Sequence, residues 1–255
     1  MISGWDVYRF DTLSSTQDKA RELSGEAREG KPFAVMADMQ TAGRGRSGRT
    51  WSSLRGNLLC TLCLPEMDFP IKDAGWYSFL SAVALTDTLD QLGFDNDAYT
   101  LRHKWPNDIL VDGRKLSGIL LESRLGSGGK LKHLFIGIGV NLQHAPEGAA
   151  NLSHLLGRVI TPDDFLESYI RSFEVNQAAM LDQGFSPIRS KWLDRAYGLG
   201  EKLQVRLVTE AFNGTFDGLE DDGALRVLIE GESKPRIVHA GDVFFGKDGC
   251  HAACY

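Results

Sequence analysis

The chain has 255 residues, 42% of them hydrophobic and 24% charged, the balance of a folded protein long enough for one large domain or one and a half. A net charge of −6 speaks against bulk nucleic-acid binding, which calls for a basic surface. No apolar run reaches the roughly 18 residues of a membrane helix. The first residues carry no basic stretch leading into an apolar one, so no secretory signal is read and the cytoplasm is the expected compartment.

Residues 7–10 predict a first strand. Ser14, Ser15 and Thr16 then precede Ala20, Leu23 and Ala27 at helical spacing. Serine and threonine cap helices well, and a helix start presents free N–H groups to an anion. Residues 33–37 predict a short strand that leads into Gly43-Arg44-Gly45-Arg46-Ser47-Gly48-Arg49-Thr50-Trp51. A packed core has no use for this run. Its guanidinium groups offer forks of donors to carboxylates and phosphates, its glycines let backbone approach a ligand, and its tryptophan offers a plate for a base. The glycines fit G-x-G-x-x-G only formally, because no helical pattern opens after them and no βαβ unit follows; nor is the run a Walker A sequence.

Residues 57–64 read as a buried strand holding Cys60 and Cys63. Cys250 and Cys254 flank His251, so a zinc site is one reading of the four cysteines. Strand residues three apart point to opposite faces, however, so Cys60 and Cys63 could share a metal only across a bulge. A long helix is predicted over residues 74–93 and an extended segment over 101–104. There Lys104 precedes Trp105-Pro106-Asn107-Asp108, a rigid corner that makes the lysine a placed charge. Residues 109–111 and 116–122 flank Asp112-Gly113, a strong hairpin signal. Residues 131–142 predict another strand, whose Gly137 and Gly139 share one face and mark close approach by a ligand or another backbone; Gly118 on the neighbouring strand can do the same.

Pro162 opens a helix running to about residue 183, and a shorter one includes Ile188, Trp192 and Leu193. Beyond Gly198 the segments 202–208, 212–219, 224–229, 236–239 and 243–245 are short strands between turns, the pattern of a small barrel. The expected division is residues 1–197, residues 198–246 and a tail, 247–255. The six histidines are scattered, and no HExxH, catalytic triad or nucleophile elbow is present. A nucleotide-using enzyme without its own nucleophile would transfer a group directly between bound substrates, by positioning and charge stabilisation.

Five segments in this order resemble the biotin–protein ligase family over nearly the whole chain. They are Ser15-Thr16-Gln17, Gln40 with the arginine run, Lys104 to Asp108, Lys115-Leu116-Ser117-Gly118-Ile119-Leu120, and Gly137-Ile138-Gly139-Val140-Asn141-Leu142. The resemblance implies an α+β fold with a mixed sheet like that of class II aminoacyl-tRNA synthetases, followed by a small Src-homology-3-like β-barrel. It implies that biotin and ATP, with Mg2+, form biotinoyl-5′-AMP, and that the acyl group passes to a lysine of a biotin carboxyl carrier domain. On the family's pattern Ser15, Thr16, Gln17, Gln40, Gly137 and Gly139 would bind biotin, with Gln17 standing where the family often has Asn. Arg44, Gly45 and Arg46 would close over biotin and the adenylate. Arg46, Arg49, Trp51 and Asn141 would serve the nucleotide. Lys104 would be the catalytic lysine, with Arg46 beside it. No magnesium ligand is assigned. The family includes members with a DNA-binding domain, which this sequence is expected to lack, and members that form homodimers. The rival expectations are a lipoate or octanoate ligase and a non-catalytic biotin-binding regulator.

Overall fold

The parallel strands β1 (Asp6–Leu13) and β2 (Phe33–Gln40) need a crossover, and helix α1 (Thr16–Leu23) supplies it. Ser15 caps α1, its Oγ accepting from the Gln17 backbone N–H. The computed structural model describes residues 4–25, 30–65 and 69–246. Ala27, Cys250, His251, Cys254 and the expected tail lie outside the described residues.

Every other strand of this sheet pairs antiparallel: β3 (Leu58–Pro65), β4 (Leu101–Lys104), β5 (Asp108–Val111), β6 (Arg114–Leu125) and β7 (Leu131–Val140), in the order β1-β2-β3-β7-β6-β5-β4. The mixed sheet is the expected one. The β5–β6 turn takes positive φ at Asp112 (49°) and Gly113 (75°), the backbone that an Asp-Gly pair favours. β3 is an almost unbroken apolar run because both its faces are covered. Cys60 belongs to the core on one face and Cys63 to the cluster on the other. Both are free thiols, and burial pushes Cys63 up to about 12, so both behave as small hydrophobes.

One face of the sheet is sealed by α2 (Trp76–Gln91), α4 (Pro162–Gln183) and α5 (Ser186–Asp194). α2 is buried over most of its circumference, since it lies between the sheet, α4 and α5. Its Ser81, Thr86 and Thr88 hydroxyls turn back to carbonyls one turn earlier. Thr161 caps α4, with Pro162 in the first turn. The short helix α3 (Leu152–Leu156) was not expected from periodicity, because five residues are too few to show it. On the other face α1 packs on a smaller cluster of Phe33, Val35, Cys63 and Phe135, flanked by the partly buried Tyr8, Phe10 and Leu13.

The remaining strands, β8 (Lys202–Arg206), β9 (Ala211–Leu219), β10 (Leu225–Leu228), β11 (Arg236–Val238) and β12 (Asp242–Phe245), form an antiparallel sheet in the order β11-β10-β9-β8-β12. Ring closure between β11 and β12 is not among its pairs in the described residues. Leu203, Phe216, Val227 and Phe245 belong to the same core as α2 and α4, so the second sheet is packed onto the first body. Trp105 Nε1 donates to the Gly223 carbonyl at 3.2 Å, and Tyr197 meets Phe245 edge-on at 5.2 Å.

Candidate active site

The uncovered part of the sheet's second face is a pocket over β3, β7 and β6. Its floor exists because β7 lacks side chains there. A Cβ on Gly139 would stand 2.3 Å from the Trp51 ring, and one on Gly137 would stand 2.8 Å from Gln17 Nε2. Gly118 pairs with Gly139 across the β6–β7 ladder and lies under the edge of the same indole. Any larger residue would drive Trp51 or Gln17 out of place.

Polar groups at the start of α1 close one end. The Gln40 side-chain carbonyl accepts from Thr16 N–H at 2.7 Å and Thr16 Oγ1 at 3.1 Å, and Thr61 Oγ1 donates to Thr16 Oγ1 at 2.9 Å. Gln17 Nε2 donates to the Leu120 carbonyl at 2.9 Å. Gln17 Oε1 is buried without a protein partner, as is Trp51 Nε1. A ligand with both donors and acceptors suits this end.

Cations run from this end to the other. Arg44 forks onto Asp18 at 2.7 and 2.8 Å, which raises the Arg44 pKa and lowers that of Asp18. Arg46 donates to Asn107 Oδ1 at 3.3 Å. Burial pulls the Arg46 pKa down; Asp242 and Asp108 oppose this, while Arg49 adds to it. The group stays charged nonetheless, as a guanidinium does. Arg49 pairs with Asp242. Lys115 Nζ lies 2.9 Å from Asp108 and 5.5 Å from the Trp51 ring centroid. Asp108 is the one carboxylate among the described residues lining the pocket. A local cationic site thus sits on an acidic chain.

Ser15, Thr16, Gln17, Gln40, Arg44, Gly45, Arg46, Arg49, Trp51, Gly137, Gly139 and Asn141 all line this one pocket. Lys104 does not. It ends the edge strand β4, where it pairs in register with Asp108 and holds its ammonium 5.9 Å from the Tyr197 ring centroid. The lysine brought into the pocket is Lys115, which the motif reading quoted, like Asn107 and Asp108, without giving it a role in the site. A bulge explains why. Ile109 pairs with Ser117 but Leu110 pairs with Lys115, so Leu116 is an extra residue on β6. Leu116 turns into the sealed core, and Lys115 comes onto the face of Gly118, its Nζ 3.3 Å from where a Gly118 Cβ would stand. Strict alternation would separate residues three apart. The Lys-x-x-Gly spacing next to a hairpin was the available signal.

Among the described residues no group of three or more His, Cys, Asp or Glu side chains could hold a metal. The site therefore suits a ligand with a polar ring at one end and anionic groups at the other, held under one aromatic plate.

A family model for the biotin/lipoate A/B protein ligase family matches residues 10–141, and one for the biotin protein ligase C terminal domain matches residues 198–246. A biotin–[acetyl-CoA-carboxylase] ligase of Paracoccus denitrificans is 39% identical over 221 residues, covering 83% of this chain and 90% of that protein. A bifunctional ligase/repressor of Bacillus subtilis is 32% identical over 255 residues, covering 96% of this chain and 75% of that protein. In fold, the chain resembles the Aquifex aeolicus biotin protein ligase solved with biotin and ATP. The TM-score is 0.76 at 23% identity, covering 94% of this chain and 99% of that one.

Proposed function

The chain belongs to the biotin/lipoate A/B protein ligase family, and from that premise we infer that it is an ATP-dependent biotin–protein ligase. One biotin carboxylate oxygen attacks the α-phosphorus of ATP, the bond to the bridging oxygen breaks, and pyrophosphate leaves. An acceptor lysine amine of a biotin carboxyl carrier domain then attacks the acyl carbon of biotinoyl-5′-AMP. An amide forms, AMP leaves with the bonding electrons, and the amine gives up its proton to solvent.

The observation that carries this reading is the pocket's polarity: Gln17, Gln40 and Thr16 at the α1 end with Arg44 beside them, and Arg46, Arg49 and Lys115 beyond, over a glycine floor. The first step brings two anions together. Each charge-assisted hydrogen bond from these cations offsets the repulsion by about 1.5–3 kcal/mol. Lys115, beside Trp51 and paired with Asp108 in the pocket, takes the role of the charge at the reacting phosphate; Lys104 is not among the residues that line the pocket, and its ammonium stands over the Tyr197 ring. Trp51 covers the nucleotide side, and the arginine run shields the mixed anhydride from water. No enzyme nucleophile is required.

Mg2+ fits as an ion carried by the nucleotide, since it is usually bound through one or two carboxylates plus phosphates and waters. Asp108 is the residue that would hold it here. When bound, Mg2+ neutralises phosphate charge. We propose the cytoplasm as the compartment, because ATP and carrier domains meet there. Separately, no described helix is long and apolar enough to cross a membrane.

Incubation with labelled biotin, MgATP and an acceptor domain tests the reading. Labelled acceptor with stoichiometric pyrophosphate is expected, and neither product would reject it. Competition by lipoate and octanoate separates the acid specificities: a fatty acid needs an apolar tunnel, whereas Gln17 and Gln40 supply amides to a polar ring. Failure of both acids to displace biotin is the expected result.

A further inference from the structure

The arginine run is tethered from two directions. On one side Arg44 joins Asp18 of α1 and, at 3.5 Å, Glu122 of β6. These contacts lie within the body that carries the pocket. On the other side the tether comes from the C-terminal sheet. Arg49 pairs with Asp242, the first residue of β12 and 193 positions away in sequence. Arg46 donates to the Gly241 carbonyl at 3.1 Å and stands 4.0 Å from the same Asp242 carboxylate.

Stability does not account for this arrangement. Side chains of Arg49 and Asp242 are 40% and 27% exposed, and ion pairs so open to water add little to folding. The geometry has another consequence. Arg46 and Arg49 are like charges brought to one rim, beside Lys115, with a single carboxylate inside the pocket. Left alone they would spread apart into solvent. The Asp242 carboxylate stands against both guanidinium groups and holds them together, and the Arg46 Nη1 nearest to it also donates to Asn107 of the pocket wall. Asp242 also sits on a strand rather than a loop, paired in register with Arg206 of β8, so its position is set by the second sheet.

We propose that Asp242 is a positioning residue for the nucleotide: from the C-terminal sheet it holds Arg46 and Arg49 at the pocket rim in the orientation that meets the phosphates of ATP. The proposal rests on the ligase reading only in taking ATP as the ligand. It makes the second sheet part of the ATP site through two arginines of the first body, without itself touching substrate.

The test uses the full chain with Asp242→Asn, Asp242→Ser and Asp242→Glu, alone and in an Arg49→Ala background. KM for ATP and for biotin are read from pyrophosphate release, MgATP affinity from titration calorimetry, and folding from Tm. Asp242→Asn or Asp242→Ser is expected to raise the ATP KM and the calorimetric Kd about five- to tenfold, the size of an ordinary coupling between sites, with the biotin KM within about twofold of the parent. Asp242→Glu keeps the charge and should recover most of the loss. In the Arg49→Ala background the Asp242 substitution should add less than about twofold, because its main partner is gone. Unchanged ATP constants overturn the proposal. So does a parallel rise in the ATP and biotin constants with a fallen Tm, or an effect that stays full-sized without Arg49, since each marks a merely structural role. A parent chain that binds ATP yet labels no carrier sinks the ligase reading while the calorimetric comparison still judges Asp242; a parent that binds no ATP overturns both.

Discussion

Along β7, Leu134, Ile136, Ile138 and Val140 point to one face of the sheet and meet the core under α2 and α4, while Phe135, Gly137 and Gly139 point to the other. Phe135 is covered by α1. The two glycines beyond it are not, and the pocket begins where side chains stop. One strand thus fills one face and hollows the other by alternation alone. The sealed face carries stability, and the hollow face carries recognition. Changes on each should therefore be read by different instruments.

The largest expected effect is on the sealed side. Phe165 of α4 is fully buried there. Phe165→Ala should cost about 3–5 kcal/mol in urea unfolding, while the folded fraction keeps its KM for biotin and ATP. A shifted biotin KM with unchanged stability would mean that the faces are not separate.

On the hollow side Lys115→Ala should slow adenylate formation about 10²- to 10³-fold, the effect of removing one preorganised charge-stabilising donor, and leave Tm nearly unchanged. Lys104→Ala, at the sheet edge, should stay within about threefold. Rapid-quench measurement of biotinoyl-5′-AMP decides between them, and the reverse outcome would return the reacting charge to Lys104.

The sealed face also holds a titrating group. His103 Nδ1–H donates to the Trp192 carbonyl at 3.0 Å, and Nε2 meets the Thr86 hydroxyl at 3.2 Å. Burial is the main cause that lowers its pKa to about 4 from the ordinary 6.5. Between those values the unfolded chain binds the proton and the folded one does not, so stability falls as pH drops through this window. The loss should reach about 3 kcal/mol at its lower end. Unfolding curves from pH 7 to 4 measure it, and His103→Gln should flatten the slope. An unaltered slope in that variant would assign the acid sensitivity elsewhere.

The smallest expected effect sharpens the comparison most. Gly139→Ala adds one methyl on the hollow face, against Trp51. It should weaken biotin or ATP binding by about 1–3 kcal/mol through displacement of the indole, with little change in unfolding. Binding by titration calorimetry checks this. Normal affinity of the Gly139→Ala variant for both ligands would show that the floor has room to spare.

Much of this architecture is legible in the residue order. Asp112-Gly113 announces its turn because few residues adopt positive φ easily, and both do so here. Gly137 and Gly139 announce a close approach because a strand with period two puts them on one face. Cys60 and Cys63 are separated by the same rule, and they lie in different clusters. The arginine run is visible because its composition suits no core. Lys115 is not visible as a site residue, because the bulge at Leu116 breaks the alternation from which its face would be inferred. Lys104 looks well placed because Trp105-Pro106 makes a rigid corner, but rigidity does not say toward what the corner points.

Local chemistry therefore settled which segments become strands, where they turn, which faces are empty and which loop is cationic, since these depend on steric limits and spacings within a few residues. The fold alone decided which lysine enters the pocket and that Asp242, 193 positions from Arg49, would stand beside the arginine run. Strand register and the seating of one sheet on another depend on contacts between residues far apart in the chain, and no short stretch of sequence contains them.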